Sequence, residues 1–357
     1  MSVSATVSDL SERELVARIR ERLPAPPAWL LVGIGDDAAV VEPERNRVDV
    51  LTVDALVEGI HFDSAFVPPH AIGHRALAVN LSDLAAMGAA PRLALVSLVL
   101  PSALPLDHFD GIIDGLAALA GQHRLHVAGG NLARSPGPLV VDVTATGTVK
   151  RRQMLTRSGA RPGDEIYVSG TIGAAAAGLH VLKGANTEGT DTNGGHGLPG
   201  KQCPPSVSVS SVVAPCIERY LRPDPRIRLG VWLGRNRAAT ACVDLSDGLA
   251  DGVHRLAEAS EVGIAIDAEA VPIDASTRHI LSDMDDDITI AAITGGDDYE
   301  LLFAVRPRAR RHLTAASRHA GVALTRIGVC TGDRAVVLRR EGSEGPLPAG
   351  YTHFGRA

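Results

Sequence analysis

The sequence is poor in aromatic residues, has few cysteines and lacks any long apolar run. Aromatic residues make up 3% of the 357 positions, so aliphatic and alanine side chains must fill the core. No stretch of about 18 uninterrupted apolar residues is present, which argues against a membrane-spanning helix. The net charge of −6 argues against a non-specific nucleic-acid binder, because such a protein normally presents a basic surface. Phosphate ligands remain possible, since bound cations can reverse the local charge.

The cysteines follow no metal-binding spacing; they are Cys203, Cys216, Cys242 and Cys330. Their simplest interpretation is buried or free thiols in a reducing cytosol. The N-terminal segment shows no secretory signal, so we expect a cytoplasmic protein. The length favours two domains over a single core.

Helical and strand patterns alternate through both halves of the chain. The periodicity predicts helices over 10–23, 70–87, 107–123, 173–182 and 248–260. It predicts strands over 48–53, 93–100, 125–128, 139–149, 165–169, 240–244, 263–268, 288–293, 301–305 and 335–338. We therefore expect an α/β fold with two domains, residues 1–150 and 151–357. The segment 184–211 is rich in Gly, Asn, Thr, Ser and Pro, which predicts a flexible insertion in the second domain.

Short acidic motifs recur among small residues, at or near the ends of apolar runs. They are Val32–Ala38, Thr52–Asp54, Asn80–Asp83, Asp244–Gly248 and Gly295–Glu300. Carboxylates in such places suit hard cations held against a phosphate-bearing ligand. We interpret Asp36, Asp37, Asp54, Asp83, Asp244 and Asp247 as candidates for a shared magnesium site. For any one of them a helix cap or turn is the simpler interpretation, and Asp83 and Asp247 could both be caps.

The segment Gly33–Ala38 formally matches a GxGxxA dinucleotide fingerprint. That fingerprint presents backbone N–H groups and a helix N-terminus to a pyrophosphate, which Asp36 and Asp37 would repel without intervening metals. No helical pattern follows it, because Ala38 to Val41 runs directly into Glu42 and Pro43. No GxxxxGK[ST] segment occurs either, which disfavours a P-loop kinase.

Three further positions each allow two interpretations. Arg157 could bind a phosphate with both guanidinium nitrogens or make a surface ion pair. His61 could contact a ligand, although a lone histidine is more often structural. Asp297 and Asp298 follow Gly295 and Gly296, and they fit cation recognition or a plain glycine turn.

Together these motifs resemble the thiamine-monophosphate kinase family of the aminoimidazole-ribonucleotide-synthetase-like ATP-dependent superfamily. The segments that carry the resemblance span nearly the whole chain in the family's order: Gly33–Ala38, Asp54 with Gly59–Phe62, Ala76–Gly88, Leu155–Asp164, Asp244–Leu249, Gly295–Leu301 and Tyr351–Gly355. The most specific of them is the run ALAVNLSDLAAMG at Ala76–Gly88.

The resemblance implies phosphorylation of thiamine monophosphate by ATP, and a homodimer formed through the N-terminal α/β domain. It implies that Asp54, Asp83 and Arg157 act in catalysis. Mg²⁺ ligands are implied at Asp37, Thr52, Val53, Asp54, Asp83, Asn131, Asp244 and Asp247. Nucleotide contacts are implied at Gly130, Asn131, Arg157 and Ser246, and thiamine-phosphate contacts at His61, Asp297 and Tyr351 or Phe354.

Two positions depart from the family pattern. Val53 stands where the family usually has Thr, so only its backbone carbonyl could coordinate a cation. Asn131 stands where the family usually has Asp, so its amide oxygen could coordinate a cation but brings no charge. These departures keep two alternatives open, a superfamily sibling with other ATP-dependent chemistry and a non-catalytic nucleotide-binding paralogue.

Overall fold

The computed structural model describes residues 5–188, 212–284 and 287–350. These residues divide between two compact units. The first unit contains 5–81 and 91–148, and the second contains 82–90, 149–188, 212–284 and 287–350. No helix in the described part of the chain is long and apolar enough to cross a membrane.

The first half of the chain carries three helices and six strands within the described residues. The helices are α1 (Glu12–Arg22), α2 (Pro69–Ala86) and α3 (Leu106–Gln122). The strands are β1 (Leu30–Val32), β2 (Val40–Val41), β3 (Val48–Val57), β4 (Ala90–Pro101), β5 (His126–Ser135) and β6 (Val140–Val149). Strands β1 and β2 pair antiparallel, and the other four form a sheet in the order β3-β6-β4-β5.

Local sequence signals explain several of these elements. A capping box begins α1, in which the Ser11 side chain accepts from the Glu14 backbone and the Glu14 carboxylate accepts from the Ser11 N–H. Helix α3 buries an apolar face that includes Phe109 and Leu116. Strand β6 alternates, with Val141 on the buried side and Asp142 on the half-exposed side.

The remaining elements follow Val149. The strands are β7 (Glu165–Ser169), β8 (Ala241–Asp244), β9 (Gly263–Asp267), β10 (Leu301–Val305), β11 (Leu324–Thr331), β12 (Val336–Arg340) and β13 (Ser343–Pro346). The helices are α4 (Ala174–Glu188), α5 (Ala214–Leu221), α6 (Ile227–Arg235), α7 (Leu249–Ser260), α8 (Ala275–Leu281), α9 (Ile288–Thr294) and α10 (Leu313–Ala320). These strands form one mixed sheet in the order β13-β12-β9-β11-β7-β10-β8, in which β12 and β9 run parallel.

The sheet of the second unit supplies the centre of its core. Ile166 on β7, Ile264 and Ile266 on β9 and Leu302 on β10 are all 0% exposed. Strand β8 is an edge strand of this sheet, and its last residue is Asp244. The fold therefore brings one predicted site residue to the end of an edge strand, against a fully packed apolar layer.

Two segments were predicted to have the wrong type of structure. Residues 288–293 were expected to form a strand, but they form α9, because the Asp287 side chain accepts from the Thr289 and Ile290 N–H groups and begins a helix. A short run of β-branched residues fits either element by pattern alone. Residues 184–188 were expected in a flexible insertion, but they continue α4; residues 189–211 lie outside the described part.

Candidate functional site

The loop between β8 and α7 carries three of the predicted site residues. Strand β8 ends at Asp244, Ser246 and Asp247 follow, and α7 begins after Gly248, whose φ of +94° suits a glycine. A side chain at Gly248 would also collide with the Gly295 carbonyl, since its Cβ would lie 2.7 Å from that oxygen. Asp247 accepts from the Arg255 guanidinium at 2.9 Å and lies 3.2 Å from the Ser246 hydroxyl.

Asp244 and Asp83 form a pair of like charges in the second unit. Asp244 is 7% exposed, and the Ser82 hydroxyl donates to its Oδ2 at 2.8 Å. Burial, and then the nearby charge of Asp83, raise the pKa of Asp244 to about 6, while Arg157 acts in the opposite direction. A bound cation would offset both the cost of removing the Asp244 charge from water and its repulsion from Asp83. These residues therefore fit a metal ion.

Neither Asp83 nor Asp247 is a helix cap. Asp83 lies inside α2, three residues before its end at Ala86. Asp247 precedes the N-cap position of α7, which Gly248 occupies without a side-chain hydrogen bond. The interpretation of both residues as helix N-caps is therefore wrong, and Asp247 lies instead in the bend between β8 and α7.

The Gly295–Glu300 turn lies against the Ser246 loop. The Asp297 N–H donates to the Ser246 carbonyl at 2.7 Å, the Tyr299 N–H to the Leu245 carbonyl at 2.9 Å, and the Leu245 N–H to the Glu300 carbonyl at 2.9 Å. This backbone ladder joins two of the acidic motifs that the sequence separates by about fifty residues. Asp297 is half-buried and stands at the start of the ladder.

Asp298 is a structural residue. It is 1% exposed, and its carboxylate accepts from the Gly173 N–H at 2.7 Å and the Ala175 N–H at 3.3 Å, at the start of α4. Burial raises its pKa to about 7, although the two backbone hydrogen bonds act in the opposite direction. The structure therefore does not support the interpretation in which the Asp298 carboxylate binds a cation.

Glu300 forms a buried ion cluster that the sequence analysis missed. It is 0% exposed and contacts Arg219 at 2.6 Å and Arg226 at 2.7 Å, while the Ser169 hydroxyl donates to it at 2.5 Å. Burial alone would raise the pKa of Glu300, but the two guanidinium groups outweigh it and hold that pKa below its ordinary value. The available signal was a glutamate beside the apolar run Leu301–Val305, which requires a partner when buried.

In the first unit, Asp36 and Asp37 lie in the connection between β1 and β2. The Asp36 carboxylate accepts from the Asp37 N–H at 2.9 Å. The element that follows is strand β2 and not a helix. The prediction that no helix follows this segment is therefore confirmed.

Thr52, Val53 and Asp54 lie within β3. The strand was expected to end at Asp54, but it continues to Val57. Asp54 is therefore in a strand interior, half-exposed on the same side as Thr52, whereas Val53 faces the other side and is 59% exposed.

Gly130 and Asn131 lie within β5. This strand was expected to end at Ala128, but it continues to Ser135 because Gly130 pairs with Val96 and Asn131 with Ser97 of β4. The Asn131 amide lies 3.5 Å from the Ser97 hydroxyl. A cavity of about 130 Å³ beside these residues is lined by apolar side chains of α1, α3, β4 and β5.

His61 accepts a hydrogen bond from the end of β3, and Arg157 lies at the surface. The Nδ1 atom of His61 accepts from the Val57 N–H at 3.0 Å, so its neutral ring carries the proton on Nε2. Arg157 is exposed, and its guanidinium makes no ion pair with any residue that the structure describes. The surface ion pair that was the alternative interpretation of Arg157 is therefore not seen among the described residues.

The described residues contain no group of three or more His, Cys, Asp or Glu side chains that could hold a metal on their own. The predicted magnesium ligands therefore remain predictions, with Asp83 and Asp244 as the pair the structure brings together. Tyr351 and Phe354 lie outside the described residues. Cys216, Cys242 and Cys330 are buried free thiols, as expected, and Cys203 also lies outside the described part.

Comparison with known proteins defines the class. Residues 35–149 match the N-terminal domain and residues 161–341 the C-terminal domain of the AIR synthase related proteins. The thiamine-monophosphate kinase of Escherichia coli O157:H7 is 36% identical over 346 residues, which cover 96% of this chain and 98% of that protein. The crystal structure of thiamine-monophosphate kinase from Stenotrophomonas maltophilia K279a is 37% identical, with a TM-score of 0.79 over 94% of this chain and 98% of that one.

A third relative is a solved complex. AaThiL complexed with AMPPCP and TMP is 29% identical, with a TM-score of 0.71 over 99% of this chain and 100% of that one. The fold and the domain matches are those of a two-domain AIR synthase related protein. Within that class, the chain belongs to the thiamine-monophosphate kinase family.

Proposed function

We propose that this chain transfers the γ-phosphoryl group of ATP to thiamine monophosphate, giving thiamine diphosphate and ADP. Family membership and the complex of a relative with AMPPCP and TMP support this reaction. The observation within this chain that carries it is the pair formed by the buried Asp244 and the half-buried Asp83, next to the Ser246 loop and within the electrostatic reach of Arg157. Such a pair suits a site that binds a cation together with a polyphosphate.

The reaction needs little acid–base chemistry. The acceptor is a phosphate oxygen, which is largely deprotonated at neutral pH because the second pKa of a phosphate monoester is about 6. The obstacle is repulsion between two polyanions that must be brought into line. The exposed Arg157 guanidinium, which makes no ion pair within the described residues, would bind the transferring phosphate and stabilise its negative charge.

We propose that Mg²⁺ accompanies ATP. The ligands would be Asp37, Thr52, Val53, Asp54, Asp83, Asn131, Asp244 and Asp247. When bound, the ions would neutralise phosphate charge and orient the transferring group. Val53 directs its side chain away from Asp54 and so would contribute its carbonyl oxygen, and Asn131 would contribute a neutral amide oxygen.

The remaining contacts divide between nucleotide and acceptor. Gly130 would allow the nucleotide to approach the backbone closely, together with Asn131 and Ser246. His61 would offer its Nε2–H to the thiamine phosphate. Asp297 would attract the cationic thiazolium ring, and Tyr351 or Phe354 would stack on an aromatic ring of the substrate.

The direct experiment incubates the full chain with Mg²⁺-ATP and thiamine monophosphate and measures thiamine diphosphate. We expect product from the wild type and about a 100-fold or greater loss in Asp54→Asn and in Asp83→Asn, with unchanged melting temperatures. The matched control is Asp49→Asn, which alters an exposed carboxylate on the same strand as Asp54. Wild-type-like turnover in either of the first two variants would refute their assignment, and ATP binding without product would favour a non-catalytic paralogue.

We also propose a homodimer formed through the first unit. Strand β3 is an edge of the four-stranded sheet, and its Leu51 and Val53 side chains are 70% and 59% exposed. An apolar edge strand of this kind is normally covered, because uncovered edges pair with other chains. Light scattering should give twice the chain mass for the wild type and a monomer for the double variant Leu51→Lys, Val53→Lys.

A further inference from the structure

The turn that carries Asp297 adopts an unusual backbone. Asp297 and Tyr299 both have positive φ angles, +69° and +50°, although neither is a glycine. Non-glycine residues seldom adopt this conformation, and those that do are concentrated at functional sites. The ladder to Leu245 and Ser246 described above holds both residues in place.

The acidic side chains on both sides of Tyr299 are fixed within the second unit. Asp298 accepts from the start of α4, and Glu300 is enclosed by Arg219 and Arg226. This anchoring leaves the turn little freedom to relax its backbone. The anchoring thereby holds the side chains of Asp297 and Tyr299 in contact with each other.

The contact between these two side chains is a hydrogen bond. The Tyr299 hydroxyl donates to Oδ1 of Asp297 at 3.0 Å. Tyr299 is 7% exposed and Asp297 is half-buried, so the bond is only partly open to water. A bond from a hydroxyl to a carboxylate is stronger than one between neutral groups, and here it sets the orientation of the Asp297 carboxylate.

We propose that Tyr299 is a positioning residue for thiamine monophosphate, acting through Asp297. This inference rests on the proposed function, in which the Asp297 carboxylate recognises the cationic part of the substrate. A carboxylate already turned toward its ligand does not lose side-chain freedom on binding, so the hydroxyl lowers the cost of substrate binding. The effect is on binding of the acceptor and not on the transfer step or on ATP.

The test is Tyr299→Phe, which removes one oxygen atom. Its matched control is Tyr167→Phe, because Tyr167 is also 7% exposed and its hydroxyl donates to the carboxylate of Glu165 on β7. We expect Tyr299→Phe to raise KM for thiamine monophosphate by roughly tenfold, as befits one hydrogen bond to a charged group. The kcat, the KM for ATP and the melting temperature should stay near wild type, and Tyr167→Phe should leave both KM values unchanged.

A double-mutant cycle separates positioning from packing. If Tyr299 acts through Asp297, adding Tyr299→Phe to Asp297→Asn should change KM no further. An unchanged KM in Tyr299→Phe, or an equal loss on the Asp297→Asn background, would overturn the proposal. The wild-type assay reports separately on the proposed function: without thiamine diphosphate from the wild type, that function fails and the positioning role fails with it.

Discussion

Replacement of Glu300 by Gln tests the buried ion cluster of the second unit. Glu300 is 0% exposed, and the side chains of its partners Arg219 and Arg226 are 21% and 14% exposed. Gln keeps the size of the side chain but removes the charge, so two largely buried guanidinium groups lose their counter-ion. Breaking a buried pair in this way costs about 3–5 kcal/mol.

This cost should be visible as thermal destabilisation. At about 2–4 °C per kcal/mol for a unit of 150–250 residues, a loss of about 3 kcal/mol lowers the melting temperature by about 6–12 °C. Scanning calorimetry at neutral pH is the measurement. The control is Glu218→Gln, because the Glu218–Arg222 pair on α5 is 57% and 46% exposed and such pairs contribute about 0–1 kcal/mol.

The pH dependence gives a second check on the same residue. The pKa of Glu300 is held below its ordinary 4.5, so its stabilising contribution is present above that pH and is lost as the pH falls through the folded-state value. The stability gap between wild type and Glu300→Gln should therefore narrow in acid. A gap under about 1 kcal/mol at neutral pH, or one that widens in acid, would refute the reasoning.

Three other predictions concern one carboxylate, the proposed Mg²⁺ ions and one amide. The raised pKa of Asp298, about 7, means that its contribution to stability is present below 3.8 and lost as the pH rises through about 7; Asp298→Asn should abolish this decline in melting temperature. Chelation of Mg²⁺ should abolish turnover without unfolding the chain, as judged by circular dichroism. Asn131→Asp should lower the Mg²⁺ concentration for half-maximal activity several-fold, because it adds a charge to the proposed ligand set, and an unchanged requirement would remove Asn131 from it.

The sequence predicted most elements but not all of their ends. Strands β3 and β5 continue past the positions at which they were expected to end, because pairing with neighbouring strands supplies hydrogen bonds that no local pattern reports. The apolar run at 288–293 became a helix because Asp287 caps it. Helices α5 and α6 were not predicted, since each is under three turns long.

The candidate site was predictable in part. The motifs placed Asp244 at a strand end and Asp83 in a helix, and both placements are confirmed. The separate roles of Asp297, Asp298 and Glu300 were not predictable, because adjacent acids in one turn look equivalent in sequence. Their roles depend on which helix starts, loops or guanidinium groups each carboxylate meets.

The sequence by itself determined the α/β class, the family and the acidic motifs, because these depend on residue types and spacing along the chain. Tertiary structure decided which carboxylates are neutralised by arginine partners and which lie beside another carboxylate. Burial and partners separate them: Glu300 is neutralised by Arg219 and Arg226, whereas Asp244 is buried beside the like charge of Asp83. That difference is electrostatic, and it arises only when segments distant in the chain are packed together.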